Sequence, residues 1–214
     1  RLACTIITAY GQSIGYPTKY VDARQFLVTD DHFGAARILP HISNPKIQAF
    51  FKNFTGIPVV TGFIGATADG ITTTLGRGGS DLTASQIGAA LKAEEIQIWK
   101  DVNGFMSADP SKVKEAFSLA ELSYEEAVEL SHFGAKVLFP PTIQPVIDKN
   151  IPIRIMNTFN PDFPGTVIRK NPSANGGYVK GVTSISDIAL LTVQGSGMVG
   201  VSGISSRLFS ALAQ

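Results

Sequence analysis

Ile71-Thr72-Thr73-Thr74-Leu75-Gly76-Arg77-Gly78-Gly79-Ser80-Asp81 is a strand-like run that passes through a glycine turn into a helical pattern, Asp81 to Leu91. Glycines in such a turn let the backbone approach a ligand closely and adopt positive φ. Successive amide N–H groups aimed from a helix start form a site for an anion. Arg77 adds a planar fork matched to a carboxylate or to phosphate oxygens. The same residues also make a plain turn capped by Ser80 with Arg77 in solvent, and a glycine run alone does not separate the two readings.

Outward from this turn, strands and helices alternate. On the N-terminal side, Asp69-Gly70 marks a hairpin between Ile64-Gly65-Ala66-Thr67 and Ile71 to Leu75. Ile57 to Ile64 reads as a buried strand, and Thr18 to Ala23 and Phe26 to Thr29 as short ones. Ile47, Phe50, Phe51 and Phe54 fall on one helical face, so Asn44 to Phe54 is a helix with Ser43 or Asn44 as cap. Arg1 to Tyr10 reads as the end of a helix closed by Gly11. On the C-terminal side come a strand at Ile96 to Trp99, a helix capped by the Ser123/Glu126 box, a helix from Thr142 and a strand from Ile151 to Met156. The alternation predicts α/β architecture with a substantially parallel sheet between helices.

The polar, glycine-rich run 171–177 reads as a linker. Beyond it, Val179 to Ser184 and Ile188 to Val193 are expected as strands, and Val201 to Ala213 as a helix. The domains are therefore expected at 1–170 and 178–214. The chain has no initiator Met and begins and ends in helical patterns, so it reads as an excised fragment.

Hydrophobic residues make up 44% and charged residues 16% of the 214, which describes a globular core rather than disorder. A formal net charge of +1 and no Lys/Arg cluster give no case for nucleic acid. No apolar run reaches membrane-spanning length. The lone cysteine, Cys4, excludes an intrachain disulfide and fits a reducing, cytoplasmic setting. His32, His41 and His132 are far apart, so no protein metal site is assigned.

Other motifs stay open on their own. Lys100 and Asp101 follow the Ile96 strand, where α/β proteins gather ligands, and are candidates for a phosphate contact and a polar or metal contact; a surface turn at Asn103-Gly104 is the alternative. Phe133-Gly134-Ala135-Lys136-Val137-Leu138 places a lysine that either neutralises phosphates or is simply solvated. Gly195-Ser196-Gly197-Met198-Val199-Gly200 matches the dinucleotide fingerprint, which also permits an oxidoreductase domain opening there; small α+β modules use the same kind of turn.

In this order, Gly62-Phe63-Ile64-Gly65, Thr72 to Asp81, Trp99 to Asp101, Asp109-Pro110 and Phe133 to Leu138 resemble the aspartokinase family, from about Thr18 to Ile168. The resemblance implies the amino-acid kinase (carbamate kinase-like) three-layer α/β/α sandwich, followed by the start of an α+β ACT domain. It implies ATP- and Mg²⁺-dependent phosphorylation of the L-aspartate β-carboxylate in lysine, threonine and methionine synthesis. Phe63, Arg77, Ser80 and Asp81 would face aspartate. Lys100, Asp101, Met106, Lys136 and Val137 would line the nucleotide site, with Arg77, Ser80, Asp81 and Lys136 nearest the chemistry.

Leu191 to Met198 is most similar to the form fused to homoserine dehydrogenase, for which NADP would be a further cofactor. A monofunctional aspartokinase or another amino-acid kinase is the alternative. The implied partners are a threonine or lysine effector and a second copy joined through ACT domains. Lys100, Met106, Ser111 and Phe139-Pro140-Pro141 depart from the usual Thr, Tyr, Arg and His-Pro-x. The family's N-terminal phosphate loop should precede Arg1, so the 214 residues alone are expected to be inactive.

Overall fold

The computed structural model describes residues 1–134, 137–173, 179–185, 192 and 203–213. By contacts the chain divides into Arg1–Ser184 and Ile185–Gln214.

Within the first unit, helix α1 (Leu2–Ser13) runs past the expected stop at Gly11 and leads into strand β1 (Thr18–Val21). Helix α2 (Pro40–Phe51) begins earlier than expected, with Pro40 in its first turn. Ser43 is therefore not its cap. It is buried, donates to the Val28 carbonyl and accepts from the Val28 amide, both at 3.0 Å. The expected strand at Phe26 to Thr29 is reduced to isolated bridges: Val28 pairs with Ala66, through the Thr29 amide and the Leu27 carbonyl, and Thr29 pairs with Ile38. Phe26, Phe50, Phe51 and Phe54 cluster with ring centroids 5.0–6.0 Å apart, which is the apolar face read from the sequence.

The expected strand Ile57 to Ile64 is broken in two, β2 (Ile57–Val60) and β3 (Ile64–Ala66). β2 pairs in parallel with β1, while β3 pairs antiparallel with β4 (Thr72–Thr74) through the Asp69-Gly70 hairpin. The break falls at Phe63, whose φ of 73° no strand accommodates.

Helix α3 (Gly79–Leu91) then delivers the chain to β5 (Ile96–Lys100), the edge of a four-stranded sheet in the order β5-β7-β8-β6. Its other strands are β6 (Glu121–Leu122), β7 (Ile153–Asn157) and β8 (Thr166–Ile168). β7 runs parallel to β5 and β6 parallel to β8, but β8 returns antiparallel to β7. The sheet is thus mixed, because the 158–165 connection is too short for a crossover helix.

Helix α4 (Tyr124–His132) carries the expected capping box, and Thr142 lies in a 3-10 turn ahead of the short helix α5 (Gln144–Ile147). Ile98, Phe105, Leu122, Ile143, Ile153, Ile155 and Ile168 form the buried core around the four-stranded sheet.

No strand forms at Val179 to Ser184, and Ile188 to Val193 falls outside the described residues save Thr192. In the second unit, helix α6 (Ile204–Leu212) occupies most of the span expected for it. Among the described residues no helix is long and apolar enough to cross a membrane.

Candidate active site

The glycine turn is not closed by Ser80. The residue ahead of α3 is Gly78, with φ 68° and ψ 9°, and no side chain caps the helix. Ser80 lies inside the first turn, exposed, as does the partly exposed Asp81. The first-turn amides of a helix have no intrahelical acceptor, so this end presents donors to a ligand. Gly78 is required on two counts. Its conformation suits glycine, and a Cβ there would overlap the Phe139 side chain. Phe139, from the segment that replaces His-Pro-x, therefore packs on the glycine turn.

Phe63 forms the opposite rim. Its left-handed backbone is held by Leu75, whose amide donates to the Phe63 carbonyl at 2.9 Å. Thr83 Oγ1 accepts from the Phe63 amide at 3.2 Å and donates to the Gly79 carbonyl at 2.7 Å, tying the rim to α3. A Cβ on Gly62 would lie 3.1 Å from Ser80 Oγ, and one on Gly79 would lie 3.1 Å from Phe63 Cδ2. The residues expected to face aspartate, Phe63, Arg77, Ser80 and Asp81, thus gather around one turn. A non-glycine residue strained into positive φ beside such a turn is a recurrent mark of a functional site.

Lys100 ends β5, and its Nζ donates to Asp81 Oδ2 at 3.0 Å, with the two side chains 26% and 22% exposed. The pair joins one residue expected on the acceptor side to one expected on the nucleotide side. Arg77 is exposed and makes no ion pair among the described residues. Its nearest acidic neighbour in sequence is already occupied by Lys100. Asp101 is exposed beside Lys100.

Beyond β5 the chain frames a cavity of about 310 Å³ whose walls include Gly104, Met106, Asp109, Val137, Val182 and Ser184. Buried Thr166 fixes the near wall. Its Oγ1 accepts from the Phe105 amide at 2.8 Å and donates to the Leu119 carbonyl at 2.6 Å. Ser118 Oγ donates to Met106 Sδ at 3.3 Å. Ser111, through its hydroxyl and its amide, holds the Asp109 carboxyl below the usual carboxylate range. Lys136 lies outside the described residues; Gly134 and Val137 on either side of it line the cavity.

Sequence reasoning left out the Phe63 backbone, the Phe139 contact and the contribution of residues 182–184. The Gly62-Phe63 pair carried a weak signal in its glycine. The other two carried none, because each depends on segments distant in sequence.

The model of the amino acid kinase family matches residues 1–157. The chain is 44% identical over 205 residues to bifunctional aspartokinase/homoserine dehydrogenase 2, chloroplastic, of Zea mays, covering 92% of this chain and 22% of that protein. It superposes on E. coli aspartokinase III in complex with aspartate and ADP at a TM-score of 0.76 and 32% identity, covering 80% of this chain and 39% of that one. For the same E. coli enzyme in complex with lysine and aspartate, the TM-score is 0.75 at 28% identity, covering 99% and 48%. The chain thus spans less than half the length of each of these relatives. The fold is the α/β fold shared by these kinases, and the oxidoreductase alternative is not favoured.

Proposed function

Because this chain belongs to the amino acid kinase family, we propose that it serves as the catalytic region of an aspartate kinase, passing the γ-phosphoryl group of ATP to the β-carboxylate of L-aspartate. The observation that carries the reading is the meeting of Arg77, Ser80 and Phe63 around one turn that adjoins, through the Lys100–Asp81 pair, the strand leading to the cavity. That the E. coli relative is in complex with aspartate and ADP supports the choice of these two ligand classes.

In this scheme the Arg77 guanidinium pairs the α-carboxylate of aspartate, and Ser80 Oγ donates to the acceptor carboxylate. The helix-start amides and the Lys100 and Lys136 ammonium groups offset the negative charge brought together as the two substrates meet. Asp81 holds Lys100 in place and is itself neutralised, so it does not repel the incoming carboxylates. Met106 and Val137 face the nucleoside part. Magnesium would arrive on the triphosphate, which is its usual mode in phosphoryl transfer. Exposed Asp101, next to Lys100, is the carboxylate that would contact it. No covalent protein intermediate is needed, because positioning and electrostatics supply the catalysis.

The start of an ACT domain at 178–214 and fusion to homoserine dehydrogenase belong to the same proposal. They are supported by the similarity to the bifunctional maize protein and to the lysine-bound E. coli enzyme. Threonine or lysine is the proposed effector. A cytoplasmic location is likewise a proposal, to be checked by fractionation, since the maize relative is chloroplastic.

The test is turnover of the full-length protein with ATP and L-aspartate, followed as ADP release and as hydroxylamine-trapped acyl phosphate. Aspartate-dependent formation of both products is expected. ADP release that ignores aspartate, or that needs a different acceptor, rejects the assignment.

A further inference from the structure

Part of the cavity wall comes from the far end of the first unit, residues 180–184, which no motif singled out. Three anchors hold this segment across the opening. Lys180 Nζ donates to Glu126 Oε2 at 2.8 Å, the carboxylate oxygen that also accepts from the Ser123 amide in the α4 capping box. The Val182 amide donates to the Ser107 carbonyl at 2.8 Å. Lys112 Nζ donates to Ser184 Oγ at 2.8 Å, and the chain passes so close to Gly134 that a Cβ there would lie 2.7 Å from the Ser184 carbonyl oxygen. Gly181 rests on Leu119 and Leu130. Val182, Thr183 and Ser184 thereby line the same cavity as Met106 and Val137.

We infer that residues 180–184 are a strap forming one wall of the nucleotide pocket, so that nucleotide affinity depends on the strap being docked. This rests on the nucleotide reading of the cavity given above. A pocket binds through the surface it encloses, and removing one wall lowers affinity for the molecule that fills it without touching a partner bound elsewhere. Burial raises the Glu126 pKa, but the Lys180 hydrogen bond, the Ser123 amide and the Lys180 charge outweigh it and hold the carboxyl below its usual value. The anchor is therefore an ion pair at neutral pH.

The experiment measures ADP affinity by calorimetry, and KM for ATP and for aspartate, in the full-length protein and in Lys180→Ala, Lys112→Ala and Val182→Trp. A part-exposed ion pair (Lys180–Glu126) or a single side-chain hydrogen bond (Lys112–Ser184) is worth up to a factor of about five, so each alanine variant should weaken ADP by ~2–5-fold. Val182→Trp, which puts bulk into the opening, should weaken it by at least ~10-fold. The KM for aspartate should stay within about twofold in all three, a split that general loss of structure does not produce. If the unaltered protein binds ADP and Val182→Trp weakens it while neither alanine variant does, the strap inference is overturned and the nucleotide reading survives; if Val182→Trp has no effect either, both are overturned. If the unaltered protein binds no ADP, both fall together. Equal losses for ADP and aspartate also overturn the strap role.

Discussion

The proposed acceptor rim and the proposed nucleotide cavity are built by different means. The rim around Arg77 is made of backbone: the left-handed Gly78, the left-handed Phe63, and a helix start left without a side-chain cap. Its pieces lie within residues 62–83, and Thr83 alone bonds both of its sides. The cavity draws on residues 102–110, 134 and 137, and 182–184, held by side chains such as Thr166 and Lys180. A site made of backbone tolerates few substitutions because its shape and its donors are the same atoms. A site made of distant side chains can change residue by residue. The departures from the family pattern at Met106, Ser111 and Phe139 fall on that second side or where it meets the turn.

The contrast breaks most directly at Arg77. In the full-length protein, Arg77→Ala should raise the aspartate KM by about 10–100-fold, the worth of a charge-assisted contact, and leave the KM for ATP close to its original value. Steady-state kinetics with each substrate varied separately decide this, and unchanged aspartate kinetics would remove Arg77 from the acceptor site.

Next in size is Gly78→Ala. The strained conformation and the overlap with Phe139 together should cost about 2–4 kcal/mol in urea unfolding. Met106→Leu, on the cavity wall and conserving volume, should cost less than about 1.5 kcal/mol. Similar losses at both positions would erase the distinction between the two regions.

The Lys100–Asp81 pair, where the regions join, should show a coupling of about 0.5–1 kcal/mol in a double-mutant cycle of Lys100→Met and Asp81→Asn. Zero coupling would mean that the two sides are energetically separate.

The smallest effect lies away from both. The Glu121 carboxyl is lowered to about 2 by the Arg169 guanidinium and by the hydroxyl and amide of Ser173. A carboxyl lowered in the folded state contributes stability that is present above its unfolded value, roughly pH 4.3, and is lost as pH falls through the folded one. Thermal melts should therefore show unaltered protein losing slightly more stability than Glu121→Gln between about pH 4.5 and pH 2. Parallel curves would show that the contact contributes nothing.

Much of this was legible in the residues, for a physical reason. Helix faces, the Ser123/Glu126 box, the Asp69-Gly70 hairpin and the strand-turn-helix passage at Leu75 to Asp81 depend on neighbours a few positions apart, so local pattern suffices. The exceptions were also local but were outcompeted. Ser43 would cap a helix by propensity, yet it sits buried inside α2 because Val28 takes both of its hydrogen bonds. Phe26 to Thr29 has strand composition, yet Val28 and Thr29 pair with two different segments, in isolated bridges to Ala66 and Ile38, and form no continuous strand.

By itself, then, the chain determined its alternating architecture and its arginine-bearing glycine turn, since both are written in short-range spacing and in the steric freedom of glycine. Only the tertiary structure decided that Lys100 answers Asp81, that Phe139 closes on Gly78, and that residues 182–184 wall the cavity. Those contacts join segments from 19 to some 80 positions apart. Packing of the whole domain selects them, and no residue in any one segment specifies its partner.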